Sequence, residues 1–147
     1  MNGLENMMLT VLKHEPLSSR QLIFAGRLSK SEEPFEHFVG CLAMQTGKNT
    51  LSDRKNAFSP SDYYAGEALF RLCRIRTSTI INNFEIKRFV FRAAKSKRVS
   101  TRINATQVLA RIAKRERGAY RLLKGLKSDK NELVRHNARI LFGKLSS

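Results

Sequence analysis

His37 and Cys41 stand four positions apart, a spacing that puts two potential zinc ligands on one helix face. Further ligands would have to come from His14 and Cys73, on other helices, so packing is the simpler account and no metal is expected. Three histidines, His14, His37 and His136, could act as bases, but none has a carboxylate in register to orient it. The sequence has no glycine-rich phosphate loop and no HExxH pair. Glu32, Glu33 and Glu36 gather where a helix would begin, and there they suit the positive end of its dipole. An enzyme acting on nucleic acid would have Asp62, Glu67 and His136 as its first candidates, yet no constellation argues for one. The reading is a non-enzymatic binding protein with no cofactor and no small-molecule substrate.

The chemistry on offer is cationic. The 147 residues include 28 Lys and Arg against 12 Asp and Glu, a formal net charge of +16. Residues 1–70 hold 7 basic and 8 acidic side chains, whereas residues 71–147 hold 21 and 4. Such a surplus repels itself and favours an anionic partner: nucleic acid, an acidic protein or an anionic membrane. The two cysteines, Cys41 and Cys73, are too few for a disulfide framework, which points to a reducing, cytoplasmic setting. The opening stretch "MNGLENMMLTVLKHE" has no basic leader, and its apolar part is too short for a signal or a span, so no membrane attachment is expected.

Positioning these cations requires an architecture, and a repeat supplies it. "TRINATQVLARI" (101–112) laid over "VRHNARILFGKL" (134–145) at one fixed offset aligns Arg102 with Arg135, Ala105 with Ala138, Val108 with Leu141, Ala110 with Gly143 and Ile112 with Leu145. The same offset pairs "FVFRAAKS" (89–96) with "LLKGLKSD" (122–129), so the unit contains two helical patterns. A third copy lies upstream in "SDYYAGEALFRL" (61–72), at a somewhat longer spacing, and "SSRQLIFAGRL" (18–28) is a fourth. Eight helices are expected. The first spans 3–14, with an apolar face at positions 4, 7, 8, 11 and 12. Ser18 caps the second, Pro34 opens the third and Gly47 stops it. Ser59 and Pro60 start the fourth, Asn83 caps the fifth, Ser100 the sixth, Gly118 opens the seventh, and Asp129 with Glu132 forms a capping box for the eighth. "TSTII" (77–81) reads as a linker with an apolar plug. On the last helix Ala138 and Gly143 permit close approach, Ile140, Leu141 and Leu145 fill the seam, and Arg135 reaches back to the turn.

On these residues the chain resembles the HEAT-repeat family. "LLKGLKSDKNELVRHNARILFGKL" carries Asp129 six positions before Arg135 and then the family's small residues. The resemblance implies a single domain spanning 1–147, an all-α, right-handed solenoid of about four helix pairs, with units near 3–30, 34–76, 83–115 and 117–146 and second helices lining a concave face. Ser96 stands where the family places Asp, so the Asp-to-Arg ladder between neighbouring units is incomplete.

Stacking the units at these offsets places Arg27, Arg71, Arg111 and Lys144 at one equivalent position, with Lys30, Arg74 and Lys114 three places after the first three. The expected result is a cationic stripe across the second helices. A second basic group, Lys95, Lys97, Arg98, Lys114, Arg115, Arg117, Lys124, Lys127 and Lys130, is expected to share one edge formed by the turns. Phe84, Phe89 and Phe91 interleave with Lys87, Arg88 and Arg92, as bases stacking on rings would require, but their helical spacing reads as core. Arg71, Arg74, Arg111, Lys114 and Lys144 on the stripe, with Lys95, Lys97, Arg98, Arg115, Arg117 and Lys127 on the edge, are the candidate anion-binding residues. The expected function is binding of nucleic acid through its backbone; the alternative is a protein-interaction scaffold.

Overall fold

The computed structural model describes residues 3–48 and 64–145. Among the described residues there are nine helices and no strand. Contacts divide the chain into two compact units, Met1–Ser59 and Pro60–Ser147.

The first unit contains α1 (Gly3–Leu12), α2 (Ser19–Leu28) and α3 (Pro34–Lys48), and α3 packs against both of the others. Leu4, Met7, Met8, Val11 and Leu12, the face legible in the sequence, are all buried, and α1 ends before His14, whose φ of 57° lies in the left-handed region. Ser18 caps α2 in a reciprocal box: its hydroxyl accepts from the Gln21 amide at 3.2 Å, and the Gln21 side chain accepts from the Ser18 amide at 2.9 Å. Gly40 lets α3 approach the end of α2, since a Cβ there would collide with the backbone of Leu28 and Ser29. Pro34 opens α3 as expected, but the helix runs through Gly47. A glycine inside a helix costs only about 1 kcal/mol, too little to stop one by itself.

The second unit contains α4 (Ala65–Leu72), α5 (Thr77–Ile81), α6 (Phe84–Ala93), α7 (Val99–Ile112), α8 (Arg117–Leu126) and α9 (Glu132–Lys144). The centre is α7, which packs against α4, α5, α6, α8 and α9. Its Ala105, Val108, Leu109 and Ile112 are fully buried, and the larger three contribute roughly 1.5–3 kcal/mol each. At the equivalent places on α9, Ala138 is buried but Leu141 and Leu145 are only half-buried. The reason is topological: α7 has helices on several sides, whereas α9 contacts α7 and α8. Ile140, expected in the seam, is 47% exposed, and a Cβ on Gly143 would meet nothing within 4 Å, so neither mediates the expected close approach. "TSTII" forms the short α5, with Ile80 fully buried as the plug.

Several helix caps differ from expectation. Asn83 does cap α6, accepting from the Ile86 amide at 3.0 Å. The helix expected to start at Ser100 starts earlier, at Val99, with Arg98 at the cap position and no side-chain cap hydrogen bond to the helix amides. Glu116, not Gly118, precedes the first residue of α8 and accepts from the Gly118 amide. Asn131 caps α9, accepting from the Leu133 and Val134 amides. Asp129 therefore does not form the expected box with Glu132, because its carboxylate is taken up by the Asn131 amide and an arginine. The expected start at Ser59 and Pro60 falls outside the described residues.

Candidate nucleic-acid interface

Several arginines on the second helices of this unit are engaged by backbone carbonyls, and of these Arg102 is buried. Arg102 donates through Nη1 to the carbonyls of Ser96 and Lys97, at 2.8 and 3.2 Å. At the equivalent place in the next repeat, Arg135 donates through Nη1 to the carbonyls of Asp129 and Lys130, at 2.8 and 3.1 Å. Each arginine thus ties the turn before its own helix by the same two bonds. Arg102 makes a further contact: its Nε and Nη2 meet the two carboxylate oxygens of Asp129 at 3.0 and 3.1 Å, with the side chains 5% and 10% exposed. This is the bidentate geometry in which an arginine–carboxylate pair is strongest. Burial alone would raise the Asp129 carboxyl, but the Asn131 amide, the Arg102 guanidinium and nearby Lys130 outweigh it and hold the group below its usual range. Ser96 performs half of the Asp129 role, its hydroxyl accepting from the Arg98 amide as Asp129 accepts from Asn131.

Of the stripe residues, Arg111 donates through Nη1 to the carbonyls of Leu72 and Ile75, at 3.1 and 2.9 Å, a cation at the carbonyl end of α4 where the helix dipole favours one. Between those carbonyls lies Cys73, whose thiol burial pushes up in pKa and Arg111 partly pulls down. Arg71 is held by Glu67 at 3.2 Å. Arg74 lies 5.3 Å over the Phe70 ring. Lys114 is exposed just beyond α7, and Lys144 is exposed in the last turn of α9. Arg27 belongs to α2 of the first unit and is exposed there. The structure brings Arg111 to the carbonyl end of α4 and binds Arg71 to Glu67 within that helix, so both side chains are engaged within the unit.

The edge residues separate into two groups. Lys95, Lys97 and Arg98 precede α7 while Lys114, Arg115 and Arg117 follow it, and 14 helical residues lie between, a length of about 21 Å. The Arg102–Asp129 pair joins the 94–98 turn to the 127–131 turn, so Lys127 lies on the Lys95 side, its ammonium 4.2 Å over the Phe142 ring. One common edge is thus corrected to two, at opposite ends of α7. The cause is alternation: turns within a helix pair and turns between pairs lie at opposite ends of the helices.

The face left open to solvent is on the first helix, α6. Phe84, Lys87, Arg88, Phe91, Arg92 and Lys95 line an open concavity of about 300 Å³. Spacing of three or four positions keeps Phe84, Lys87, Arg88, Phe91 and Arg92 on one side of the helix, and Lys95 continues that line in the turn after α6. The reading of all three phenylalanines as core is corrected: Phe89 is buried, but Phe84 is 68% exposed and Phe91 half-exposed. Phe91 lies against α8 at Gly118, where a Cβ would come 3.0 Å from the ring. Lys87 reaches Glu116 at 3.3 Å. Arg88, Arg92 and Lys95 are exposed, and none makes a side-chain hydrogen bond or ion pair with a described residue. On α8, Arg117, Tyr120, Arg121 and Lys124 are likewise exposed.

Arg88, Arg92 and Arg121 are not among the sequence-derived site residues. A signal for them exists, because the repeat offset that pairs Arg102 with Arg135 also pairs Arg88 with Arg121 and Phe91 with Lys124 on the first helices. Of the enzyme candidates, Glu67 is bound to Arg71, His136 is exposed on α9, and Asp62 lies outside the described residues. His37 Nε2 lies 3.6 Å from Cys41 Sγ, and no group of three or more His, Cys, Asp or Glu among the described residues is arranged to hold a metal ion. No helix among them is long and apolar enough to cross a membrane. Compared with protein-family models, curated proteins and solved structures, the chain matches none.

Proposed function

We propose that this chain is a non-enzymatic helical-repeat module of HEAT-like type whose basic C-terminal half binds nucleic acid through its phosphates. The observation that carries the reading is the α6 face, where Arg88, Arg92 and Lys95 stand exposed with no acidic partner among the described residues. Arg121 and Lys124 on α8 extend the same type of surface. Phosphate contacts position a nucleic acid without reading its sequence, and exposed guanidinium and ammonium groups on helices suit that role. Support for the solenoid comes from the repeated arginine grip at 102 and 135 and from the Arg102–Asp129 bond joining consecutive helix pairs. The binding surface in this reading is on the first helices, because the second helices direct Arg102, Arg111 and Arg135 into turns and helix ends.

The test is a salt titration of binding to a short DNA duplex. Affinity falls with a log-log slope of about −0.9 per phosphate neutralised. Replacing Arg88 and Arg92 together by Ala reduces that slope by about 2 and leaves the melting temperature unchanged. Tight binding that hardly responds to salt, or a double variant with the parent's slope, overturns the proposal.

A protein partner is the second reading, favoured by Leu133 and Ile140 on the outer side of α9, 60% and 47% exposed. On that reading, charge changes on α6 leave partner binding intact and Leu133→Asp removes it.

A further inference from the structure

A surface that only gathered phosphates would need no rings. The α6 concavity has them: Phe84 is the first residue of the helix, Phe91 lies two turns on, and the cations Lys87, Arg88, Arg92 and Lys95 surround them. Phe84 is far more exposed than the core requires, while Phe89 and Val90 on the opposite side of the same helix are buried. The helix therefore keeps an apolar side inward and an aromatic, cationic side outward. The complement of that outer side is a ligand that is densely anionic and also offers flat apolar faces. Duplex DNA supplies the charge but hides its base faces in the stack. A single strand presents both, and stacking of bases on exposed rings beside a cationic track is how such strands are held without sequence preference.

We infer that the α6 concavity is a single-strand site, in which one unstacked base lies against Phe84 while flanking phosphates meet Arg88, Arg92 and Lys95. Asn83 fixes the ring's place by capping the helix at the preceding position, its side chain accepting from the Ile86 amide. Phe91, wedged at Gly118, forms the apolar floor. Lys87 is drawn toward Glu116, which leaves the other three cations for the strand. The inference rests on the nucleic-acid reading and adds to it a specific form of ligand and the residue that selects it.

The experiment compares fluorescein-labelled oligothymidylate of roughly 15 nucleotides, near the upper end of single-strand site sizes, with an abasic strand and a duplex of the same length. The three probes carry the same backbone chemistry, and only the first offers free base faces. Expected is about tenfold tighter binding of oligothymidylate than of the abasic strand, in the range one base–aromatic stack supplies. Phe84→Ala removes that preference and leaves abasic and duplex affinities unchanged, while Phe84→Tyr keeps it. Replacing Arg88 and Arg92 by Ala weakens all three probes together. Equal affinity of the parent for oligothymidylate and the abasic strand overturns the single-strand site but leaves backbone binding standing, as does a Phe84→Ala variant that retains the preference. Displacement of oligothymidylate by polyglutamate as readily as by itself also overturns it, since any polyanion would then suffice. Failure of every probe to bind at low salt removes the nucleic-acid reading itself.

Discussion

The first and second helices of the C-terminal unit are both rich in arginine and use it in opposite ways. On α7 and α9, Arg102, Arg111 and Arg135 donate to backbone carbonyls of turns and helix ends, and Arg102 also holds the half-buried Asp129 carboxylate. On α6 and α8, Arg88, Arg92, Arg117 and Arg121 stand exposed, with no side-chain hydrogen bond or ion pair to a described residue. A guanidinium that satisfies peptide carbonyls is a structural part, and its removal costs most where the acceptor is buried, as the Ser96 carbonyl under Arg102 is. An exposed one near few acids adds to the external field and little to stability. The net charge of the unit is therefore a poor guide to how many of its cations are uncommitted, because some of the charge is already engaged internally.

The largest expected loss of stability falls on Arg102. Replacing it by Ala strands the Asp129 carboxylate and the carbonyls of Ser96 and Lys97. Loss of one partner of a fully buried pair costs about 3–5 kcal/mol, and because Asp129 is half-buried and keeps the Asn131 amide, the loss here is expected at the lower end, about 3 kcal/mol. Denaturant unfolding followed by circular dichroism should register a loss of that size. Arg135→Ala removes the same grip on a turn without a carboxylate at stake, and a loss of about 1 kcal/mol is expected. Equal losses at the two positions would mean that the Asp129 contact contributes nothing beyond the turn bonds.

Much of this was legible in the sequence, for identifiable reasons. The reach of Arg135 back to its turn was legible, because an Arg near the start of a helix after a polar turn has carbonyls of that turn within reach; the repeat aligns Arg102 with it, and the matching grip at Arg102 is a finding of the structure. The apolar face of α1 and the caps at Ser18 and Asn83 followed from local spacing, which tertiary contacts did not override. The direction taken by Arg111 was not legible, since its acceptors at Leu72 and Ile75 lie at the end of α4, far away in sequence. Phe84 and Phe91 misled because spacing of seven places two residues on one side of a helix without saying whether that side faces core or water. The buried residues Ile86, Phe89, Val90 and Ala93 define the inward side, and only the packing of α6 on α7 settles which set wins.

The Asp129 carboxyl tests the same pair by titration. Its folded-state pKa is lowered, so the stability it contributes is complete above the unfolded value near 3.9. That contribution is lost as pH falls through the lower folded value. Thermal melts from neutral pH down to about pH 3 should therefore show the parent losing stability faster than Asp129→Asn, which lacks this carboxyl. The two curves should converge as the parent's pair is protonated. Parallel curves over that window would show that Asp129 is not held as the bidentate geometry requires.

Arg111 should give the smallest effect and the finest separation of the two arginine classes. Two hydrogen bonds from an exposed arginine to carbonyls contribute about 1 kcal/mol, so Arg111→Ala should lower stability by no more than that and leave the salt slope of the proposed nucleic-acid binding unchanged. A second readout is built into the site. Arg111 pulls the Cys73 thiol down against the upward push of burial, so without it the thiol should titrate higher and react more slowly with an alkylating reagent at a fixed, mildly alkaline pH. A variant with slower alkylation, slightly lower stability and unaltered binding would place Arg111 with the inward arginines. A variant that binds with a shallower salt slope would move it to the outer face, and the division between first and second helices would fail at that position.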